Sequence, residues 1–359
     1  MRATAAVLEQ SGGRFTLTEV DLADPRPDEV LVRVVSVGIC GTDLEFANFF
    51  PTPVVLGHEG AGVVERVGGA VTSVRPGDHV AMSFASCGTC SLCLTGSPAY
   101  CRSFDAVNLT GRRPDGSSAI SRDGAAVNGH FLGQSSFAAH VVAPQRAVVP
   151  IDPGIDLVHV GPFGCGFQTG AGSVLNVMRP QPGQTIAVFG AGAVGSAAII
   201  AAALSNCGVI AAVDVNPAKL AAAREFGATH CVDSSSELAA ALREVAPLGF
   251  DYVLDTTGRA DVLRTAVEAL GPRGRAGVIG VGPSESMTFD WRSVLNGRSI
   301  TGIIAGSSVP QVFVPKLLDL HARGKFPVDR MISYFPFAHI NEAVAAVRSG
   351  DVAKAVLTL

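Results

Sequence analysis

Four cysteines within fifteen residues are the feature of this chain that points most directly to chemistry. They are Cys87, Cys90, Cys93 and Cys101, in a run that begins Cys-Gly-Thr-Cys-Ser-Leu-Cys. Thiolates at this spacing can surround one ion tetrahedrally, and zinc is the usual ion with four sulfur ligands. Four ligands leave no position for a substrate, so the run predicts a structural zinc site.

Two other interpretations of these cysteines stay open at this point. Disulfides require an oxidising compartment, whereas Met1 to Glu9 lack the basic, apolar and cleavage regions of a secretory signal. An iron–sulfur cluster would also accept four thiolates. The spacing and the N-terminal residues together favour a metal over disulfides and predict a cytoplasmic protein.

Further residues of metal-ligand type are spread over separate segments. Cys40 follows a predicted strand, His58 stands eighteen residues later, and Cys165 comes just before a change of pattern in the chain. Two thiolates and one imidazole are the three protein ligands of a catalytic zinc that keeps its fourth position open. The sequence therefore predicts a second, working metal site.

Composition restricts the class of protein. The chain has 359 residues, 48% of them hydrophobic and 16% charged, which is enough for the buried cores of about two domains. A net charge of −4 without a cluster of Lys and Arg gives no basic surface for nucleic acid or anionic lipid. We expect neither as a partner.

One long uncharged stretch, Pro180 to Val213, tests the expectation that no segment spans a membrane. Its length would suffice for a bilayer. Gly183, Gly190, Gly192 and Gly195 interrupt it, however, and it divides into strand, turn, helix and strand better than into one helix. Elements that are apolar on all sides are typical of a parallel sheet covered on both faces.

The predicted elements change character along the chain. The first 160 residues predict short strands at Val30–Val37, Gly60–Val67, His79–Phe84 and Phe137–Val149. From Gln184 strands alternate with helices, and the predicted strands are Thr185–Phe189, Val209–Asp214, His230–Asp233, Tyr252–Asp255, Ala276–Val281 and Ile300–Ile304. The tail predicts helices at Pro310–Arg323 and Ile340–Arg348 and a last strand at Ala355–Leu359.

A glycine pattern opens the alternating part. Gly190, Gly192 and Gly195, with Ala193 and Val194 between the last two, follow one predicted strand and begin a helix. In this context the glycines allow a tight turn, backbone approach to a pyrophosphate and close packing of helix on strand. The helix N-terminus then faces the phosphates.

Asp214 ends the next predicted strand, nineteen residues after Gly195. A carboxylate there can accept hydrogen bonds from the adenosine ribose and favours NAD, since it would repel a 2′-phosphate. The alternative is that Asp214 caps a helix beginning at Pro217. Lys219 can reach the same ribose, unless it is only a solvated lysine on an exposed helix face.

Taken together, these motifs resemble the zinc-dependent medium-chain alcohol dehydrogenases over essentially the whole chain. Cys40, His58 and Cys165 match the family's catalytic zinc ligands, the four-cysteine run matches its structural zinc lobe at about 86–102, and the glycines match its coenzyme loop. The segments beginning Asn108-Leu-Thr-Gly-Arg-Arg and Gly129-His-Phe-Leu-Gly-Gln are most similar to the aryl- and benzyl-alcohol dehydrogenase branch.

The resemblance implies an α/β fold with two domains. Residues 1–165 and 306–359 would form a GroES-like, mostly β catalytic domain, and 166–305 a Rossmann domain with a doubly wound parallel sheet. It also implies two zinc ions per subunit, NAD as coenzyme, and a homodimer or homotetramer. The implied activity is reversible oxidation of a primary alcohol, aromatic or allylic, to its aldehyde.

Roles for individual residues follow from the same resemblance. Thr42 would take the alcohol's proton, Asp43 would orient His58, and Glu59 would approach the zinc. Asp43 could instead cap a helix near Leu44, and Glu59 could be a simple ion-pair partner. Thr169 is expected to contact the coenzyme.

The chain departs from the family at two positions. Glu45 stands where several relatives carry a histidine that ends the proton relay, so the relay would end in Glu45, in water or at no defined group. Gly41 replaces a basic residue that faces the pyrophosphate, and Lys354 is a late basic residue that could compensate.

Substrate preference rests on weaker signals. Phe49, Phe50, Phe84 and Phe131 lie near metal-bearing or branch-typical segments and could line an apolar channel or belong to the core. The alternatives are a terpenoid, polyol or thiol-adduct formaldehyde dehydrogenase, and a non-catalytic NAD-binding protein.

Overall fold

A computed structural model of the protein describes residues 1–234, 237–280, 282, 288–289 and 291–359. It divides into two compact units. The first contains Met1–Gly166, Val309–Leu320 and Val328–Leu359, and the second contains Phe167–Ser308 and His321–Pro327. The expected first domain, 1–165 and 306–359, differs from the first unit at Gly166, at 306–308 and at His321–Pro327.

The first unit is mostly β, as its Val-rich segments predict. Its strands are β1 Arg2–Leu8, β2 Phe15–Leu22, β3 Glu29–Gly38, β4 Val54–Val55, β5 Glu59–Val67, β6 His79–Met82, β7 Ile120–Arg122, β8 Ala125–Ala126, β9 His140–Pro144, β10 Val148–Pro150, β17 Ile332–Pro336 and β18 Lys354–Thr358. One sheet has the order β4-β1-β2-β7-β8 and the other β10-β6-β5-β3-β18-β17, with β9 also pairing with β3. Buried Val, Leu, Ala and Phe side chains of these strands form its core.

The second unit contains a sheet of parallel strands. They are β11 Thr185–Phe189, β12 Val209–Asp214, β13 His230–Asp233, β14 Phe250–Asp255, β15 Leu270–Val278 and β16 Ser299–Gly302. Their spatial order is β13-β12-β11-β14-β15-β16. This is the 3-2-1-4-5-6 order of the doubly wound dinucleotide fold, so the predicted Rossmann domain is confirmed.

The α-helices complete both units. They are α1 Gly41–Phe46, α2 Ser91–Leu94, α3 Phe104–Asn108, α4 Gly166–Gly172, α5 Ala193–Leu204, α6 Pro217–Glu225, α7 Leu238–Val245, α8 Ala260–Glu268, α9 Arg292–Leu295, α10 Pro310–Ala322 and α11 Ile340–Ser349. In α5, which lies within the uncharged stretch, the residues from Ser196 to Ala202 are all buried. Among the described residues no helix is both long enough and apolar enough to cross a membrane.

Two predicted strands differ from the structure by more than a shift of one or two residues at an end. Phe137–Val149 is not one strand, because a 3₁₀ turn at Gln145–Ala147 separates β9 from β10. The turn follows Pro144, whose fixed φ and missing N–H favour a break in the ladder. Strand β15 begins at Leu270 and ends at Val278, whereas its predicted end, Val281, lies outside the described residues.

Strand pairing in the first unit brings distant segments to one point. Gly38, at the end of β3, pairs with Glu59 at the start of β5. The same residue pairs with Val356 of β18, near the C-terminus. The residues that flank these strand ends, Cys40, His58 and Lys354, are thereby brought into one neighbourhood.

Candidate active site and coenzyme loop

Three predicted ligands meet in the first unit and are called here the three-ligand cluster: Cys40, His58 and Cys165. The ligand atoms of these residues and a carboxylate oxygen of Glu59 all lie within 4.8 Å of one another. Cys40 is the N-cap of α1, His58 directly precedes β5, and Cys165 ends a 3₁₀ turn at Gly161–Gly164. Three separate loops thus bring two cysteine sulfurs and one imidazole close together.

The two ring nitrogens of His58 have different surroundings. The side chain is 1% exposed, and its Nδ1 lies 2.7 Å from Asp43 Oδ1. Its Nε2 is buried and has no hydrogen-bond partner. With the Asp43 carboxylate accepting from Nδ1–H, the Nε2 lone pair is left for a metal ion, so the residues present fit a zinc ion.

Asp43 connects the start of α1 with the segment of His58. Its Oδ2 accepts a hydrogen bond of 2.9 Å from the backbone N–H of Cys40, and its Oδ1 accepts one of 3.1 Å from Gly57. The carboxylate therefore caps the helix and contacts His58 at once, although α1 begins at Gly41 and not near Leu44. The two interpretations of Asp43 left open by the sequence are compatible.

The two sulfurs of the three-ligand cluster shift in opposite directions, and only Cys40 shifts toward the thiolate. A hydrogen bond from the Cys165 thiol lowers the pKa of Cys40 well below its ordinary value, against the effect of burial, and His58 lowers it further. The neighbouring Cys40 sulfur and burial raise the pKa of Cys165. Burial alone would lower the pKa of His58, but Asp43 and Cys40 outweigh it and raise that pKa. A thiolate is the form of cysteine that binds metals.

Thr42 and Glu45, the predicted relay residues, both lie on α1. The Thr42 hydroxyl is half-buried, 3.7 Å from Cys40 Sγ. Glu45 is also half-buried, and burial raises the pKa of its carboxyl. Of these two, Thr42 is the one whose side chain contacts a residue of the three-ligand cluster.

Lys354, the basic residue predicted to face the pyrophosphate, lies in a buried ion pair, and its contact with the coenzyme stays a prediction. The residue is 3% exposed, and its Nζ donates to both carboxylate oxygens of Glu59, at 2.9 and 2.8 Å, and to the carbonyl of Ile39 at 3.1 Å. These three bonds engage all three ammonium donors in this structure. Glu59 is the ion-pair partner that the sequence allowed as an alternative.

The four predicted lobe ligands also converge, and they are called here the four-cysteine cluster. Cys87, Cys90, Cys93 and Cys101 have their sulfur atoms within 4.8 Å of one another. Cys87 and Cys93 are separated by 3.9 Å between sulfurs, far beyond a disulfide bond. All eight cysteines of the chain are described, and none forms a disulfide. The disulfide interpretation is therefore wrong for this structure.

Backbone N–H groups point at the sulfurs of the four-cysteine cluster. The N–H of Cys90 donates to Cys87 Sγ at 3.4 Å, and the N–H of Ser103 donates to Cys101 Sγ at 3.4 Å. Backbone N–H groups of Thr89 and Cys90 lower the pKa of Cys87 to about 5. Burial raises the pKa of Cys93 to about 12. Donors aimed at a thiolate suit sulfur that is held as a metal ligand.

The glycine loop of the second unit has the geometry of a nucleotide-binding turn. Gly190 has a φ of +90°, and a Cβ on Gly195 would lie 1.8 Å from the Gly190 carbonyl oxygen, so both positions require glycine. A Cβ on Gly192 would instead meet no atom within 4 Å. The chain thus leaves open space beside Gly192, at the N-terminus of α5, where Ala193 and Val194 begin the helix.

Asp214 is held against this loop. Its Oδ2 accepts a hydrogen bond of 2.7 Å from the N–H of Ala191, and its Oδ1 accepts one of 2.9 Å from Asn216. Asn216, whose side chain accepts from Ala218, is the N-cap of α6, so the helix-cap interpretation of Asp214 is wrong. Lys219 lies half-buried in the first turn of that helix.

Thr169 lies in α4 and is 8% exposed. Its carbonyl oxygen accepts a 2.7 Å hydrogen bond from the Ser173 hydroxyl.

Sequence reasoning missed two residues near His58. Gln134 donates from Nε2 to the His58 carbonyl at 2.8 Å and accepts from the Gly60 N–H at 3.1 Å, which fixes the backbone on both sides of Glu59. The second is Phe46, whose ring centroid lies 5.1 Å from that of Phe131. Its position four residues after Thr42 on a short helix was the available signal.

Aromatic rings surround one side of His58. Phe131 lies edge-to-face on the imidazole, with centroids 5.5 Å apart, and Phe50 lies 5.4 Å from Phe131. Phe49 is 60% exposed and contacts Phe46. Phe84, in contrast, pairs with Phe104, which lies outside this group.

Comparison with known proteins decides the family. The profile of the alcohol dehydrogenase GroES-like domain matches residues 26–153, and that of the zinc-binding dehydrogenase domain matches residues 193–323. Geraniol dehydrogenase of Castellaniella defragrans is 40% identical over 99% of this chain and 97% of that enzyme. The chain belongs to the zinc-dependent medium-chain alcohol dehydrogenases.

Two solved structures of the family share the fold closely. A zinc-binding-domain alcohol dehydrogenase protein from Burkholderia ambifaria is 43% identical with a TM-score of 0.97, and it matches over 100% of this chain and 99% of that one. Benzyl alcohol dehydrogenase of Acinetobacter calcoaceticus is 37% identical with a TM-score of 0.96 and the same coverage. Family membership makes the protein an alcohol oxidoreductase with zinc as its metal.

Proposed function

We propose that the protein oxidises an aromatic or allylic primary alcohol to its aldehyde, reversibly, by hydride transfer to NAD. The observation that carries this proposal is the orphan Nε2 of buried His58, which faces two sulfur ligands and stands beside the Phe131 ring. A zinc site with two sulfur ligands and one imidazole beside aromatic rings suits an apolar alcohol better than a polyol.

A zinc ion held by the three-ligand cluster would supply Lewis-acid polarisation of the substrate oxygen. The chain's own residues do the remaining work. Asp43 holds the His58 ring with its Nε2 lone pair inward, and Gln134 holds the His58 backbone. Phe131 and its neighbours exclude water from this side of the site.

Proton transfer is assigned to Thr42. Its half-buried hydroxyl lies beside the three-ligand cluster and can both accept a proton and donate one. Glu45, one turn further along α1, is the proposed outer acceptor, since its half-buried carboxyl has a raised pKa and can exchange protons closer to neutral pH.

The choice of NAD over NADP is assigned to Asp214. Hydrogen bonds from Ala191 and Asn216 fix its carboxylate at the end of β12, next to the glycine loop. A negative charge at this position accepts ribose hydroxyls and repels a 2′-phosphate. We place the pyrophosphate at Gly192 and the N-terminus of α5, where the structure leaves open space.

The relatives support the substrate class. Geraniol is an allylic primary alcohol and benzyl alcohol an aromatic one, and dehydrogenases named for each are 40% and 37% identical to this chain. We extend the proposal to two zinc ions per subunit and to a homodimer or homotetramer of 36.8 kDa chains, which metal analysis and light scattering test directly.

The decisive experiment measures initial rates for benzylic, allylic, short aliphatic and polyol alcohols with NAD and with NADP, on protein of known zinc content. We expect the highest kcat/KM for benzylic or allylic alcohols with NAD. Cys40→Ser protein should lose turnover and one zinc while it still binds NAD. Fastest turnover of polyols, or undiminished turnover by zinc-free Cys40→Ser protein, would refute the proposal.

A further inference from the structure

A buried ion pair lies beside the three-ligand cluster, and the reaction as proposed above gives it no task. Glu59 is fully buried at the start of β5, and Lys354 is 3% exposed at the start of β18. Burial removes both charges from water, which opposes folding before their attraction is counted. A pair in such a place calls for a reason beyond stability.

Each contact of the pair reaches a residue next to a metal ligand. The Lys354 ammonium donates to the carbonyl of Ile39, which precedes Cys40. Glu59 itself follows His58, and its Oε1 accepts a 3.1 Å hydrogen bond from the N–H of Gly166, which follows Cys165. The pair therefore connects the three chain segments that carry the ligands.

The Glu59 carboxylate is also close enough to compete as a ligand. One of its oxygens lies within 4.8 Å of the ligand atoms of Cys40, His58 and Cys165. Carboxylate oxygen is an ordinary zinc ligand, so an unrestrained Glu59 would be a natural fourth one. Lys354 engages both of its oxygens, at 2.9 and 2.8 Å.

The surrounding backbone leaves the carboxylate little freedom to turn away. A Cβ on Gly38 would lie 2.0 Å from Glu59 Oε2, so the pair occupies space that only glycine leaves open. A Glu59 carboxylate released by Lys354 would then turn toward the ligands, since β3 blocks the other side.

We propose that Lys354 is a positioning residue, which holds the Glu59 carboxylate beside the metal ligands and out of the coordination position that a substrate oxygen needs. This inference rests on the proposed function, because it assumes an open metal site. The C-terminal strand β18 thereby decides whether the metal centre is open or closed.

The test uses full-length protein in which cobalt replaces zinc. Imidazole is titrated in without coenzyme, and the visible absorption of the cobalt measures its affinity. Imidazole can enter only an open site, so the four-cysteine cluster does not respond. In Lys354→Met protein we expect both cobalt ions to remain and imidazole affinity to fall at least about tenfold, the loss expected when only a tenth of the sites are open.

Two further variants separate this role from a loss of packing. Lys354→Arg should keep wild-type affinity because it retains the charge and the donors. The double variant Glu59→Gln, Lys354→Met should regain it, since a neutral amide neither needs the lysine nor competes well for the metal. Lys316→Met, a substitution outside the ion pair, is the control. If Lys354→Met does not fold, Lys354→Gln takes its place.

Unchanged imidazole affinity in the single variant, or no recovery in the double variant, would overturn the proposal. Loss of the cobalt bound by the three-ligand cluster would overturn it too, because Lys354 would then serve metal retention alone. If the wild-type cobalt protein itself binds no imidazole, the open site of the proposed function fails instead.

Discussion

Single side chains determine how the metal ligands are presented. Asp43 is fully buried and accepts hydrogen bonds from two backbone N–H groups besides contacting His58 Nδ1. A carboxylate can accept all of these bonds, whereas an amide must place its NH₂ group against one of the donors. The orientation of the His58 ring therefore depends on the charge of Asp43 as well as on its shape.

Asp43→Asn should weaken metal binding by the three-ligand cluster by about 10- to 100-fold, because the ring of His58 loses its anionic partner. Competition with a chromophoric chelator measures the affinity. The four-cysteine cluster, which Asp43 does not contact, should keep its metal. Asp152→Asn, in an exposed turn where the carboxylate also accepts a backbone N–H, is the matched control and should bind like wild type. Equal affinities in both variants would contradict the role given to Asp43.

Thr42→Val should lower kcat by about 100-fold or more, since it keeps the shape of the side chain and removes the hydroxyl that takes the proton. Thr42→Ser should restore most of the rate. Metal content and NAD affinity, measured on the same preparations, should stay unchanged in both. Full turnover by the valine variant would exclude Thr42 from proton transfer.

At the scale of elements, the short helix α1 places the proton-relay residue near its start and an aromatic ring at its end. Thr42 lies in its first turn, Phe46 is its last residue, and Phe50 follows four residues after its end. Both rings contact Phe131, which comes from a separate 3₁₀ turn. The element that positions the proton relay thereby also supports the aromatic wall.

Phe131→Leu should reduce kcat/KM for benzylic alcohols by about tenfold while short aliphatic alcohols are affected less, because the substrate loses a ring to pack against. Phe84→Leu is the control, as Phe84 is buried in the same unit but pairs with Phe104. The ratio of the two kcat/KM values is the quantity to compare. The same ratio in both variants would remove Phe131 from substrate selection.

The glycine loop allows a test that separates folding from binding. Gly192→Ala should fold with nearly wild-type thermal stability, because its Cβ would meet open space. NAD affinity, measured by fluorescence titration, should fall by about tenfold or more if a pyrophosphate approaches that backbone. Gly69→Ala, another glycine with open space around its Cβ, should change neither. An unaltered NAD affinity in Gly192→Ala would move the phosphates elsewhere.

For the whole molecule, buried polar groups of the first unit couple stability to pH. His130 is 6% exposed, and its Nε2 accepts a hydrogen bond from the N–H of Ala119. Burial, aided by the Arg113 guanidinium, lowers the pKa of His130 to about 4. The native state therefore keeps this imidazole neutral at pH values where the unfolded chain protonates it.

The sign of the pH effect follows from this difference. Between about pH 6.5 and pH 4 the unfolded state binds the additional proton, so the free energy of unfolding falls with decreasing pH, by about 3 kcal/mol in total. His130→Gln keeps an acceptor and removes the titration. Denaturant unfolding measures the free energy of unfolding of both proteins over this range. Wild type should lose its advantage over His130→Gln as the pH falls, and groups that titrate in both proteins cancel in the difference. Parallel curves would show that His130 does not titrate as described.

Local patterns in the sequence predicted the local parts of the structure. Cys87 to Cys101 lie within fifteen residues, and the loop from Gly190 to Gly195 is one strand, one turn and one helix start, so spacing alone specifies their geometry. Hydrophobic periodicity likewise predicted the change from a mostly β unit to an alternating one. Cys40, His58 and Cys165 lie in distant segments, so their residue types suggested a metal site and the family resemblance supported grouping them.

Tertiary structure decided what the buried charges do. Lys354 and Glu59 are 295 residues apart in the chain, and only the pairing of β18 and β5 with the end of β3 brings them together. The sequence showed a late lysine that suited a pyrophosphate. Only the fold shows that this lysine is buried. An ammonium taken out of water must have its donors satisfied by the groups that the fold places beside it, and here those groups are a carboxylate and a carbonyl next to the metal ligands.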